Sequence, residues 1–334
     1  MHGTLSVMHV AILVAHGFTD SGLTVALDVL RTANALARQA RRTPPFEVSV
    51  VGTANRLRAA SGMTVGPTTP LSRASRADFV LVPGYWVESP LEMDALLGRP
   101  DIAKLAGVIR AAYLRGATVG SSCSGAFLLA EAGVLEGHTV TTTWWLAPHF
   151  QQRCPGVRVE AERALVVERR VVTAGAVFAQ ADLALHLVAR VCGPTISRTV
   201  ARLLLLDTHA SQAAFMAVQQ LVANDETVRR AEAWARARLR DSFSVGAMAR
   251  AVGTSPRTLA RRLADAVGTT PIGFVQRLRV EHAVHLLETT SLSIEEVGSR
   301  VGYADANALR RVMRRHVNAS PRDLRRRKSR PRVR

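Results

Sequence analysis

Two groups of side chains in this 334-residue chain have types and spacings that could do chemistry. The first lies in Gly120-Ser121-Ser122-Cys123-Ser124-Gly125-Ala126-Phe127-Leu128-Leu129-Ala130. A short apolar run ends, a cysteine follows, and a small-residue helix begins at once. That order is the sequence form of a nucleophile elbow, a sharp strand-to-helix turn that projects one side chain at the carboxyl end of a sheet. Gly125 and Ala126 leave room for close approach of backbone or ligand. A helix N-terminus beside Cys123 is expected to lower the thiol pKa through its dipole. The plainer alternative is that Cys123 is a small buried hydrophobe. The other two cysteines, Cys154 and Cys192, are far away in sequence. Their spacing matches no zinc pattern, and an odd count argues against a disulfide framework. No metal or cofactor is expected.

The second group is a set of arginines on two short helices near the C-terminus. Ser244-Val245-Gly246-Ala247-Met248-Ala249-Arg250-Ala251 reads as a helix, and Val252-Gly253-Thr254 reads as a turn with Gly253 at positive φ. Ser255 caps the next helix and Pro256 takes its first position, with Leu259 and Leu263 inward. Arg257, Arg261 and Arg262 are left on the outer faces. This helix, tight glycine turn and capped helix is the form of a helix-turn-helix unit. The plan repeats 49 residues later, from Gly253 to Gly302. Ser293 caps Ile294–Val301 and Asp305 caps Ala306–His316. There Leu309, Val312 and Met313 face inward, while Asn307, Arg310, Arg311 and Arg314 face outward. A long amphipathic helix opening at Pro271 joins the units. It could hold two recognition helices about one DNA turn apart, roughly 34 Å.

Charge points to the same end of the chain. The 44 Lys+Arg against 26 Asp+Glu give a net +18, and the excess after Leu309 is 12 basic residues against Asp323 alone. Such a concentration suits a polyanionic partner, because neutralised phosphates release counterions. Charge alone does not separate DNA from RNA or an acidic membrane, and a basic tail is often merely solvated.

The elements that must position Cys123 come earlier. Ser6–Ala15, Phe46–Val51, Ala77–Val82 and Ala117–Ser121 read as strands. Leu23–Arg38 and Ile102–Leu114 read as helices. Alternation of this kind predicts an α/β, doubly wound parallel sheet with helices on both faces, followed by an all-α domain. Thr195–Leu206 reads as an apolar helix, a candidate dimer surface or a packing element of the first domain. Phe215–Val222 reads as a further helix, and the polar break Asn224-Asp225-Glu226 caps the next one. The expected domains are 1–205, a connector at 206–225, and 226–334. No run of about 18 apolar residues occurs, which argues against a spanning helix. The start lacks a secretory pattern, so a cytoplasmic protein is expected.

Over roughly residues 7–190 the sequence resembles the ThiJ/PfpI superfamily, with its class I glutamine amidotransferase-like, flavodoxin-like domain. Leu81-Val82-Pro83-Gly84, the Cys123 elbow, Glu131-Ala132-Gly133-Val134-Leu135-Glu136-Gly137 and Val172-Thr173-Ala174-Gly175 carry the resemblance. Enzymes of that superfamily pair the elbow cysteine with a histidine. The resemblance places Thr143, within Thr141-Thr142-Thr143-Trp144-Trp145, where that histidine would stand. Threonine cannot hold a thiol as thiolate. His138 and His149 could substitute only if the chain folds them back. Asp20, the sole carboxylate in His16–Gly22, is either a pocket residue or a helix N-cap. Cys123 is therefore expected to be a vestigial nucleophile in a non-catalytic sensing or dimerising domain. Asp20, Cys123, Thr143 and Trp144 are its effector-pocket candidates, with Trp145 and Trp86 as weaker ones.

Over about residues 226–327 the chain resembles the AraC/XylS regulators. The motifs are Arg257-Thr258-Leu259-Ala260-Arg261-Arg262, Gly268-Thr269-Thr270-Pro271, Arg277–Ala283, Val301-Gly302-Tyr303 and Ala319-Ser320-Pro321. Gly298 stands where alanine is usual, Leu309 and Met313 replace phenylalanines, and Asn318 replaces a glycine. The resemblance implies that Arg257, Ala260 and Arg261 face base edges in one major groove and Asn307, Arg310 and Arg311 in the next. Arg262, Arg314 and the arginines of 325–330 would meet phosphates. The combined architecture is that of GlxA-like AraC regulators. It implies double-stranded DNA as partner, a small-molecule effector and a homodimer, with no membrane. The rival expectation is a cysteine hydrolase or hydratase carrying a DNA-binding domain.

Overall fold

The computed structural model describes residues 7–207, 209, 211, 212, 225–317 and 325. The chain divides into two compact units, Met1–Gln212 and Ala213–Arg334.

The first unit begins with β1 (Met8–Val14), α1 (Asp20–Gln39) and β2 (Phe46–Gly52). A small ribbon of β3 (Leu57–Arg58) and β4 (Thr64–Val65) follows, then α2 (Leu71–Ala74) and β5 (Phe79–Val82). Next come α3 (Pro90–Leu97), α4 (Pro100–Leu114), β6 (Thr118–Ser122) and α5 (Gly125–Glu131). The remainder is β7 (Thr139–Val140), α6 (Ala147–Arg153), β8 (Arg158–Val159), β9 (Leu165–Glu168), β10 (Val171–Ala174), α7 (Gln180–Cys192) and α8 (Pro194–Leu203). Six strands form the main sheet in the order β2-β1-β5-β6-β10-β9. Five are parallel, and β9 pairs antiparallel with β10 at the edge. Val10–Val14 of β1 and all of β5 are buried, as strands covered on both faces must be, and both are apolar throughout. Helix α1 buries Leu23, Ala26, Val29, Leu30 and Ala33, a single stripe at helical spacing. The register sets Val82 opposite Ser121 and Ala174 opposite Ser122, so three strands end together just before Cys123.

The expected helix at 195–206 is shorter. It runs Pro194–Leu203, and Leu205 takes φ +53°. A non-glycine residue at positive φ cannot continue a helix. Among the leucines expected on that helix, Leu203 and Leu205 are exposed.

In the second unit α9 (Glu226–Arg236), α10 (Val245–Ala251) and α11 (Pro256–Val267) pack on one another. The long α12 (Pro271–Thr289) touches α11, and also α13 (Ile294–Arg300) and α14 (Ala306–Val317), which pack together. Ala283, Leu286, Leu287, Val297, Val301, Leu309 and Met313 form one core cluster of this unit. The caps predicted at Ser255, Ser293 and Asp305 are made, and Ser244, expected within its helix, proves to be that helix's cap. Ser244 accepts from Ala247 N, Ser255 from Thr258 N, Ser293 from Glu296 N, and Asp305 from Ala308 N. At Ser293 the cap is reciprocal, because Glu296 accepts the Ser293 N–H. The expected helix at 215–222, Asn318 and the arginines of 326–330 lie outside the described residues.

Candidate functional site

The two helix-turn-helix units take shape from the caps and turns above. Gly253 and Gly302 both sit at positive φ, +73° and +80°. Their surroundings differ. A Cβ on Gly253 would meet nothing within 4 Å, whereas one on Gly302 would lie 2.2 Å from the Leu239 carbonyl oxygen. Behind the first turn, α11 buries Leu259 and Leu263 and leaves Arg257 and Arg261 exposed, with Ala260 half-buried between them. Behind the second, Leu309 and Met313 are fully buried. Asn307, Arg310, Arg311 and Arg314 line one open groove of about 600 Å³.

These cations are not equivalent. Arg310 donates to Asn307 Oδ1 at 2.9 Å and lies 3.7 Å from Glu295. Arg262 is drawn inward to Asp225, at 2.9 Å. Asp225 also caps α9 by accepting from Thr227 N and Val228 N. Burial pushes the Asp225 carboxyl up, but the Val228 N–H and the Arg262 guanidinium outweigh it, and the group is held below the usual carboxylate range. Arg257, Arg261, Arg311 and Arg314 make no ion pair among the described residues.

In the first unit, Cys123 is an elbow residue with φ +53°, the left-handed region that costs a non-glycine residue about 1–2 kcal/mol. Its N–H donates to Ala174 O, and its carbonyl accepts from Thr142 Oγ1 at 2.8 Å. Ser124 both accepts from Tyr85 N and donates to Tyr85 O, at 2.7 and 2.8 Å. Small residues are needed around the turn. A Cβ on Gly84 would lie 2.8 Å from Cys123 Cβ, and one on Gly125 would lie 2.7 Å from the carbonyls of Val82 and Pro83. Burial pushes the Cys123 thiol up, and its bonds from the Ser124 N–H and from the Thr143 and Ser124 hydroxyls do not reverse this. The expected dipole-lowered thiol is thus corrected: desolvation of the sulfur dominates.

Thr143 is buried beside that sulfur. Neither nearby histidine folds back to it. His149 pairs with Asp94 at 3.0 Å, and His138 Nδ1 meets the Glu136 carbonyl. Asp20 is not the helix N-cap, which is Thr19. Asp20 opens α1 and accepts from Ser61 Oγ at 2.5 Å, a bond that holds its carboxyl below the usual range. The tryptophans do not share one environment: Trp144 is buried, Trp145 half-buried, and Trp86 exposed. Among the described residues no three or more His, Cys, Asp or Glu side chains converge to hold a metal ion.

One feature of this site had no signal in sequence periodicity. The chain leaving α8 is laced back onto the elbow. His209 N donates to Asp182 Oδ1 at 2.9 Å. Gln212 is buried, and its Nε2 donates to the carbonyls of Thr142 (3.0 Å) and Ala161 (2.7 Å). Its own N–H donates to Glu162 O at 2.9 Å. Thr142 therefore joins two things at once, since its hydroxyl holds Cys123 and its carbonyl holds Gln212. Gly175 is the floor of this contact: a Cβ there would lie 2.3 Å from the Gln212 amide.

Residues 8–190 match the DJ-1/PfpI family. The chain belongs to that family. Behind the DJ-1/PfpI unit, residues 248–327 match a helix-turn-helix domain. Over 320 residues, 95% of this chain and 83% of the relative, the sequence is 25% identical to the HTH-type transcriptional regulator GbdR of Pseudomonas aeruginosa. Over 331 residues, 96% of this chain and 97% of the relative, it is 25% identical to the HTH-type transcriptional regulator GlxA of Rhizobium meliloti. The crystal structure of Drosophila melanogaster DJ-1beta shares the fold of the DJ-1/PfpI unit, with a TM-score of 0.50 and 18% identity over 60% of this chain and 99% of that one. Among the described residues no helix is long and apolar enough to cross a membrane.

Proposed function

We propose that this protein is a sequence-specific DNA-binding transcription regulator of the AraC type, whose DJ-1/PfpI unit senses a small molecule or dimerises. The observation that carries the reading is the pair of capped helix-turn-helix units with outward polar side chains: Arg257 and Arg261 on α11, and Asn307, Arg310, Arg311 and Arg314 on α14. Arginine can grip guanine bidentately, and asparagine can do the same for adenine. Two relatives that span nearly the whole chain carry the name of HTH-type transcriptional regulators, which supports the same reading. Residues 1–205, 206–225 and 226–334 are then sensor, connector and DNA-binding domain of a cytoplasmic homodimer. Arg257, Ala260, Arg261, Asn307, Arg310 and Arg311 face bases, and Arg314 faces phosphate. Arg262, tied to Asp225, braces α9 against α11 and reaches phosphate only by leaving that pair.

In this reading Asp20, Cys123, Thr143 and Trp144 are candidates for the effector pocket, and the unit performs no turnover. The support is chemical. A thiol pushed up by burial, with threonine rather than histidine on its sulfur, is mostly protonated near neutral pH. The strained elbow favours the rival reading of a cysteine hydrolase, because such turns present nucleophiles. Turnover that vanishes in Cys123→Ala would establish that rival.

The deciding experiment is selection of bound fragments from genomic DNA by the full-length protein at physiological salt, followed by footprinting. A preferred sequence is expected, and its absence overturns the reading. Arg261→Ala and Arg311→Ala should each cost about 1–3 kcal/mol and relax preference at a few base pairs. Equal losses on all sequences would mark those arginines as phosphate contacts instead.

A further inference from the structure

The geometry points to Arg279 as the residue that fixes the spacing between the two DNA-reading helices, and so the spacing of the two half-sites that the protein accepts. The inference rests on the DNA-binding reading above. Arg279 lies mid-way along α12, the helix that joins the two units. Its Nη2 donates to the Asp241 carbonyl at 3.0 Å, in the segment that leads into the first unit. Its guanidinium also stands 5.6 Å from the centroid of the Tyr303 ring, next to the turn glycine of the second unit. The two units meet directly at this point, where Gly302 abuts the Leu239 carbonyl so closely that no Cβ fits. A second tie lies two residues further along α12, where Arg236 of α9 reaches Glu281 at 2.7 Å. One cation thus touches the leading segment of one unit and the turn of the other.

Arg279 is badly placed if stability alone is the criterion. Its Nε is buried and has no acceptor among the described residues. Arg279 as a whole is half-buried, and a partly buried charge with an unpartnered Nε adds little to stability compared with an apolar residue of similar size, whereas fixing a register is a well-attested use of such a group. An arginine also does here what lysine cannot, because its flat fork can sit over a ring while donating sideways. Without it the core of Ala283, Leu286 and Leu287 with Val297, Val301, Leu309 and Met313 still holds the second helix-turn-helix unit on α12, but the tie from that unit's turn to the segment before the first is lost, and the angle between the two loosens.

The test uses the full-length protein and the sequence selected by it. The DNA between the two half-sites is lengthened or shortened one base pair at a time, and each step rotates one half-site by about a tenth of a helical turn. The wild-type protein is expected to lose about tenfold or more in affinity per step. Arg279→Met keeps apolar bulk and removes the bridge. It should bind the parent site within about threefold of wild type and lose less than about threefold per step. Tyr303→Leu removes only the ring and should shift the profile in the same direction, which keeps the test open if Arg279→Met fails to fold. Tenfold discrimination retained in the folded variants overturns the inference alone. A wild-type protein with no preferred sequence overturns the DNA-binding reading and this inference with it.

Discussion

Gly175→Ala would push a methyl group into the Gln212 amide, and the structure fixes the size of the effect. The added Cβ would lie 2.3 Å from both amide heavy atoms, well inside contact distance. The Gln212 side chain cannot give way cheaply, because it is buried and bound at 3.0 and 2.7 Å to the carbonyls of Thr142 and Ala161. Expelling it forfeits both bonds at about 1 kcal/mol net each, so the local cost is about 2 kcal/mol if water reaches the two carbonyls. An energy of that size raises the population of the opened segment roughly 30-fold. Amide hydrogen exchange followed on the full-length protein reads this directly. The Gln212 N–H, held by Glu162 O, should exchange at least tenfold faster. The His209 N–H is held separately by Asp182 and should change much less. Gln212→Ala should reproduce the effect, and the double variant should be no worse than either single one, since both remove the same contact. Unchanged exchange in Gly175→Ala, or simple addition of the two effects, would refute the reasoning.

Gly298→Ala should stabilise the second unit by about 0.5–1 kcal/mol in urea unfolding, because alanine suits a helix better and its Cβ would meet only Asp305 O at 3.9 Å and Leu309 at 4.0 Å. Gly253→Ala should cost about 1–2 kcal/mol, the strain of positive φ alone. Gly302→Ala should cost clearly more, because the Leu239 carbonyl must also move; equal losses would show that this contact is soft. The Cys123 thiol is raised by burial, so its proton is held to higher pH than in an ordinary thiol. Peptide-resolved alkylation by iodoacetamide should therefore still be climbing with pH at pH 9, and a plateau at or below pH 8 would contradict the assignment.

The sequence carried the helices from Val245 to Ala306 nearly to the residue because their signals are local. Ser255-Pro256, Ser293 with Glu296, and Gly302 each act within one turn of themselves. The same holds for the Cys123 elbow, where strand, cysteine and small residues are consecutive. Non-local features were not legible. The antiparallel edge strand β9 is short and its pattern is weak. Arg262 looked like an outward cation because nothing in its own helix reveals Asp225, 37 residues earlier. Gln212 sat in a polar stretch that reads as a loop. Only its long-range partners Thr142 and Ala161, together with the bare floor at Gly175, give it a role. The thiol pKa departs from the sequence expectation for a related reason: the helix start is visible in sequence, but the burial that outweighs it is not.

The unequal surroundings of the two sets of side chains proposed to read DNA bear on how binding sites for this protein change over generations. Arg310 is already steered by Asn307 and Glu295 before any DNA arrives. Arg257 and Arg261 have no such guides among the described residues. A pre-steered side chain gives up little freedom on binding but accepts few alternatives, while an unsteered one pays more and accepts more. If these side chains read bases as proposed, promoters recruited to this protein should agree best at the base pairs under Arg310 and Asn307 and drift at those under Arg257, Arg261 and Arg311. A few base pairs of the operator would act as a fixed address and the rest as a dial on binding strength.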